Sequence, residues 1–382
     1  MHYREYVRFT RIGVFFSFVA FLTTPVLSPY IKSLGFDDIQ LSLIFSLFSL
    51  SIIIFSPMIG RVSDMIGRRR VILFGLIMEI LAMVFYIIGD FWVVIAAARI
   101  LNAVGYITVI LIVLTKIEDS LDGKTRGRYT GWSLSLENAS KIIAPIIGGL
   151  IADILFVTAP FYLSILLLTL LAVYFIRSKP RRRTRIRRDI FNVIAELREF
   201  LSDRKLKGMA ILGIVCHASV PAVNLFLPLL IMEKFGLTYS FVGIAYFFLG
   251  FFNLFQFYFG RLCDTAGRSR VLLAGTLIYG IGLLLVSVSQ SYPVLLIVLL
   301  FNGIGGSMWN ISAWCLMSDI GEGMKKEGQI LMSYASIAKT GTFVSFLISG
   351  FIVMLFGIEE LFFLNGLLVL VGTLLAVRFF RD

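Results

Sequence analysis

The stretch GRVSDMIGRRRV, Gly60–Val71, returns as GRLCDTAGRSRV, Gly260–Val271. Gly60/Gly260, Asp64/Asp264, Gly67/Gly267, Arg68/Arg268, Arg70/Arg270 and Val71/Val271 match at an offset of 200 residues. A second match keeps the same offset, LNAVG (Leu101–Gly105) against FNGIG (Phe301–Gly305). Two matches in one register point to an internal duplication. A charged turn repeated so closely in an apolar chain takes its meaning from what flanks it.

Of 382 residues 58% are hydrophobic and 15% charged, and the mean hydropathy is +0.92. Soluble domains lie near ~45–50% apolar and ~25% charged. Twelve apolar runs approach the roughly 20 residues needed to cross a bilayer core. They cover about 11–31, 39–59, 71–88, 91–115, 129–152, 160–176, 208–232, 239–259, 271–289, 292–317, 328–356 and 361–379. Backbone polar groups in hydrocarbon need internal partners, so runs of this composition are expected to be helices, giving an all-α membrane protein. The first run exceeds the ~7–15 residues of a signal core and lacks a small-residue cleavage site, so it is expected to remain in the mature chain. Cys216, Cys263 and Cys315 form no pair or metal-ligand spacing.

The net charge is +12. Thirty Lys and Arg fall at the N-terminus, at the C-terminus and in the loops after even-numbered runs, against Lys32 and Lys234 on the other side. Such asymmetry predicts cytoplasmic termini in a cell (inner) membrane, and it explains the basic charge without a nucleic-acid partner. The six runs before and six after RSKPRRRTRIRRD (Arg177–Asp189) suggest bundles at 1–178 and 207–382. The linker, 179–206, carries Ile190, Ile194, Leu197 and Leu201 at helical spacing. Two readings stand for it, an amphipathic helix on an anionic leaflet and a solvated tether.

With both copies of the turn in place, the chain resembles the major facilitator superfamily over its full length. That family's loop pattern is G-x-x-x-D-R/K-x-G-R-R/K-R/K between helices 2 and 3. Gly60, Asp64, Gly67, Arg68, Arg69 and Arg70 follow it, with Met65 in place of a basic residue, while Gly260, Asp264, Gly267, Arg268 and Arg270 follow the second copy. The resemblance implies two six-helix halves with a site near the midplane. It also implies that the repeated turn is a conformational latch, set against a purely topogenic role for its charges. Gly60 and Gly67 allow close helix approach or positive φ.

Ionisable residues at membrane depth are functional candidates because each is costly to insert. They are Glu79, Arg99, Glu137, Lys141, His217 and Lys339, while Asp153 sits at the outer end of its run. Arg99, opening RILNAVG, is similar to the family's span-4 arginine followed six residues on by glycine, a feature associated with proton coupling in its antiporters. Leu299 stands at the corresponding place in the second half. A structural bridge from Arg99 to Glu79, close in depth, is the other reading. Pro145, Gly148 and Gly149 resemble the antiporter span-5 pattern g-x-x-x-G-P-x-x-G-G, although Ser140 and Ala144 replace glycines; close helix packing is an equal reading.

Lys141 and Lys339 lie at mid-run in repeat-related spans, at an offset of 198. They admit three readings: an anion site, pairing (Glu137 precedes Lys141 by four residues), and a switching proton. Glu79, Glu137 and Arg99 are the coupling candidates, and His217 reads either as a titrating group or as a packing residue. Asn102, Asn224, Asn302 and Asn310, within a larger polar set, join Lys141, Lys339 and Arg99 as substrate-binding candidates.

The expected function is secondary transport of a small amphipathic or anionic solute by alternating access, as proton-coupled efflux. Uptake or exchange of an anionic metabolite is the alternative, and a non-transporting sensor the rival of another class. No nucleotide-binding G-x-x-x-x-G-K-S/T motif, clustered Cys/His set or facing acid pair supports an enzyme. No cofactor or metal is expected. The expected partners are the solute, protons and membrane lipid, with the chain as a monomer.

Overall fold

A computed structural model describes residues 3–121, 126–177, 198–324 and 327–380. Side chains at 57, 60, 61, 64, 126–128, 327–329 and 332 are outside that description. Among the described residues twelve helices are long and apolar enough to cross a membrane. They are α1 (Tyr3–Ser33), α2 (Asp38–Ile66), α3 (Arg68–Ile88), α4 (Trp92–Asp119), α5 (Arg126–Ile154), α6 (Ala159–Arg177), α7 (Arg204–Phe235), α8 (Tyr239–Ala266), α9 (Arg268–Ser287), α10 (Tyr292–Met324), α11 (Glu327–Phe356) and α12 (Ile358–Phe380). The chain is an all-α, multi-pass membrane protein. Ile190, Ile194 and Leu197 of the linker lie outside the described residues. Beside them Leu201 is exposed, whereas Phe200 is buried against Leu206, Met209 and Phe380.

Several helices outrun their apolar segments. The repeated motif is therefore mostly helical: α2 continues to Ile66, Gly67 is a single junction residue, and α3 begins at Arg68. The second copy has the same form, with Gly267 between Ala266 and Arg268. Gly67 and Gly267 have φ of +94° and +93°, a region that a Cβ disfavours, so one glycine suffices to break the helix and redirect it. Gly260 has neither a positive φ nor a neighbour within 4 Å of a would-be Cβ, so close approach is not its reason here.

Contacts divide the chain into two units, one holding α1–α6 together with Leu237–Phe247, the other holding the remainder. Inside the first, α3 packs on α4 and α6, α1 on α5, and α2 on α4. Inside the second, α9 packs on α10 and α12, α7 on α11, and α8 on α10. The adjacencies repeat element by element.

The LNAVG and FNGIG motifs supply the closest of these contacts. A Cβ on Gly105 would stand 2.8 Å from both Glu79 N and Gly75 O; on Gly305 it would meet Tyr279 N and stand 2.8 Å from Gly275 O. Small residues let the paired backbones approach where apolar burial gives no preference between helix and lipid.

Asp153 explains why the start of α8 belongs with the first unit. Its carboxylate accepts from the Thr238 hydroxyl (2.7 Å), the backbone N–H groups of Tyr239 (3.1 Å) and Ser240 (2.8 Å), and the Ser240 hydroxyl. An acid from α5 thus caps the orphan donors at the N-terminus of α8. Three helices also depart from regular winding. α1 is interrupted at Thr23, α7 has a π turn at Ala222–Phe226, and α8 a 3-10 turn at Phe251–Phe255. Such turns free backbone groups and often mark functional positions.

Candidate functional site

In the first unit α3 and α4 bring Glu79, Asn102 and Arg99 together. Arg99 Nη1 donates to Asn102 Oδ1 (3.2 Å), and Asn102 Nδ2 donates to Glu79 Oε2 (2.8 Å). Asn102 therefore mediates between base and acid, in place of the direct bridge that their similar depth suggested. Asn102 lies three residues beyond Arg99, on the same helix face, with Glu79 opposite.

All three side chains are buried, yet among the described residues Glu79 Oε1 and Arg99 Nε have no hydrogen-bond partner. A buried polar network left partly unsatisfied is the arrangement in which a proton, water or ligand atom gains most from binding. The guanidinium lies over the rings of Phe45 and Phe48 of α2, 4.1 and 4.6 Å from their centroids. These cation–π contacts hold the charge in an apolar setting.

Aromatic rings continue from this network. Tyr106, one residue after Gly105, has its ring centroid 6.0 Å from Phe48, 6.2 Å from Phe16 and 6.5 Å from Phe21. Lys141 is half-buried, with Nζ 5.8 Å from the Phe21 centroid. Glu137 is buried where α5 crosses Gly13 of α1; a Cβ on Gly13 would meet its carboxylate, and it feels the charge of Lys141. Composition alone did not single out Tyr106, Phe45, Phe48 and Phe21 among 36 phenylalanines and 14 tyrosines. The adjacency of Tyr106 to the repeated glycine was the available signal.

The second unit keeps the scaffold and changes the chemistry. Tyr279 occupies the place equivalent to Glu79, and Asn302 Nδ2 donates to the Tyr279 backbone carbonyl (2.8 Å). The Tyr279 and Ser219 hydroxyls lie 2.6 Å apart, and the Tyr279 ring stacks on Trp309 with centroids 6.0 Å apart. His217 meets Trp309 edge-on at 5.2 Å, and its Nδ1 lies 3.0 Å from Gly213 O. Lys339 of α11, half-buried, lies within electrostatic reach of this imidazole. Asn302 is buried, whereas Asn224, in the π turn of α7, and Asn310 are exposed. Lys141 and Lys339 belong to different units.

Side chains at Gly60 and Asp64 fall outside the described residues, but the arginines of the motif are placed. Arg68 pairs with Asp119 at the end of α4, and Arg268 pairs with Asp319 of α10. Asp119 and Asp319 share the 200-residue offset, so the sequence itself carries a signal for this pairing. Arg69 donates to the carbonyls of Phe175 (2.9 Å) and Ile176 (2.5 Å) at the end of α6. Arg268 also donates to Cys315 O (2.6 Å), and Asp264 is exposed. Each copy of the motif thus braces neighbouring helices of its own unit. A thermal-unfolding double-mutant cycle on Arg68→Ala and Asp119→Ala is expected to return a coupling of ~0.2–1 kcal/mol, as for other partly exposed pairs. Strict additivity would contradict the pairing.

Pro145, Gly148 and Gly149 lie at the tightest crossings of α5. A Cβ on Gly148 would meet the Leu22 carbonyl oxygen of α1, and one on Gly149 the carbonyl oxygen of Tyr239. The Pro145 carbonyl faces Gly243 at equally close range.

Comparison with known proteins adds lineage to this geometry. The chain is 29% identical over 143 residues to the quinolone resistance protein NorA of Staphylococcus aureus, an alignment spanning 37% of this chain and only 37% of NorA. It is 24% identical over 388 aligned positions, 97% of this chain and 96% of the relative, to the MFS-type transporter MJ1560 of Methanocaldococcus jannaschii, whose function is uncharacterised. Among solved structures the nucleoside transporter NupG superposes with a TM-score of 0.80 at 12% identity, covering 99% of both chains, a likeness of fold alone. The Major Facilitator Superfamily pattern matches residues 12–255 and 209–382. Twelve spans, a repeated Gly-hinged arginine junction and a match along nearly the whole chain make this protein a member of the Major Facilitator Superfamily.

Proposed function

We propose that the protein exports a small amphipathic or anionic solute in exchange for protons, working by alternating access from a cell membrane in which both termini are cytoplasmic. The observation that carries this reading is the buried Arg99–Asn102–Glu79 network with open hydrogen-bonding positions on both the acid and the base. A carboxylate so placed can take or release a proton as the site is filled, and the arginine responds to that change of charge. The partial similarity to NorA, a quinolone resistance protein, supports efflux. The aromatic rings between Arg99 and Lys141 suit an amphipathic molecule.

Uptake or exchange of an anionic metabolite is favoured by one specific feature, the placing of half-buried Lys339 near His217 without a carboxylate pair among the described residues. A thermal-shift panel of organic anions, phosphorylated anions and lipophilic cations on the purified chain separates the substrate classes. Anions are expected to stabilise the wild type by several degrees and to lose that effect in Lys141→Ala or Lys339→Ala. Stabilisation by cations that survives both substitutions would exclude either lysine as a substrate-binding residue. Direction and coupling follow from adding the identified ligand to vesicles with an acidic lumen. Antiport alkalinises the lumen, and an unchanged lumen would reject proton exchange.

A further inference from the structure

A second feature lies apart from the polar networks. A groove of about 680 Å³ runs between the first turns of α1 and the last turns of α6, lined by Arg4, Arg8 and Arg11 on one side and by Leu171 and Tyr174 on the other. We propose that this groove binds the phosphate headgroup of an anionic glycerophospholipid, with an acyl chain along its apolar wall.

Positions 4, 8 and 11 share one face of a helix, so three positive charges form a stripe that repels itself unless an anion lies against it. Among the described residues none of the three arginines forms an ion pair. Arg8 is the central member. Among the described residues its buried Nε has no hydrogen-bond partner, and its guanidinium lies 5.2 Å from the Tyr174 ring centroid and 5.7 Å from that of Phe9. The two rings orient a planar fork whose donors match a phosphate.

The apolar half of the groove decides for lipid over a soluble anion. Ile12 and Phe15 continue the α1 side toward the membrane interior. On α6, Leu166, Leu170 and Tyr174 are 55%, 56% and 48% exposed, a stripe at helical spacing on a spanning helix. The basic stripe thus meets a lipid-facing surface at the level where α1 enters the bilayer, where a headgroup and its first methylenes lie together.

Native mass spectrometry on the full chain in detergent tests the proposal with phosphatidylglycerol, phosphatidylcholine and inorganic phosphate as probes. Phosphatidylglycerol is expected to bind at least fivefold more tightly than phosphatidylcholine, and to lose that advantage in the triple variant Arg4→Gln/Arg8→Gln/Arg11→Gln. A matched variant elsewhere, Arg261→Gln/Arg270→Gln/Arg378→Gln, is expected to keep it. Equal loss in both variants would reduce the effect to general surface charge and overturn the site. Displacement by inorganic phosphate at concentrations comparable to the lipid would instead assign a soluble anion and overturn the lipid. Should the triple variant fail to fold, a photoreactive phosphatidylglycerol on the wild type serves. Crosslinks within residues 4–15 and 171–174 support the groove, and crosslinks confined elsewhere refute it.

Discussion

Arg99→Leu, which copies the Leu299 of the second half, is expected to destabilise the protein by ~3–5 kcal/mol, because it leaves the buried Glu79 and Asn102 without their cation. Adding Glu79→Gln removes the stranded acid while keeping a hydrogen-bonding partner for Asn102. The double variant is expected to recover most of the lost stability but to retain less than a tenth of the proton-linked flux. Thermal unfolding and vesicle flux, measured on both variants, separate the two roles of the network. A double variant that transports at the wild-type rate would show that the network is structural and that coupling lies elsewhere, with Glu137 the next acid to test. The second half argues that the scaffold tolerates the exchange: Leu299 and Tyr279 occupy the equivalent places, and Asn302 still bonds across the equivalent helix pair, α9 and α10.

Gly148→Ala carries the second large effect. The added methyl would coincide with the Leu22 carbonyl oxygen, which is backbone and cannot rotate away. α1 and α5 must then separate at their crossing, next to the interruption of α1 at Thr23. Overpacking of this kind costs ~1–3 kcal/mol or more, and the expected readout is a lowered melting temperature with poor recovery of folded protein. Gly131→Ala is the control, since nothing lies within 4 Å of a Cβ built there. Equal behaviour of the two variants would remove the packing argument for the Pro145–Gly149 segment.

The particular elements differ in how much of them could be read in advance. The apolar runs and the repeat were legible because crossing a bilayer imposes length and composition locally, residue by residue. The motif was legible as a junction but not in its shape. Charged residues are compatible with helix, so α2 runs through them to Ile66, and only the positive φ of Gly67 ends it. Arg99, Asn102 and Glu79 could each be picked out by their cost in the membrane. That Asn102 stands between the other two depended on the rotation of α3 against α4, which Gly105 permits by close approach.

Asp153 shows the limit most plainly. An acid at the end of an apolar run reads as a residue meeting water, and Asp153 is exposed; the run does not disclose that the same carboxylate accepts from four donors at the start of α8, more than eighty residues away in the chain. Asp119 and Asp319 likewise take their role from the Arg68 and Arg268 side chains that stand against them. Spans, sidedness of charge and duplication follow from the sequence by itself, since solvent and membrane act on each segment independently. Which polar groups meet was decided only by tertiary structure, because a side chain's partner depends on helix rotation and approach that no single segment encodes.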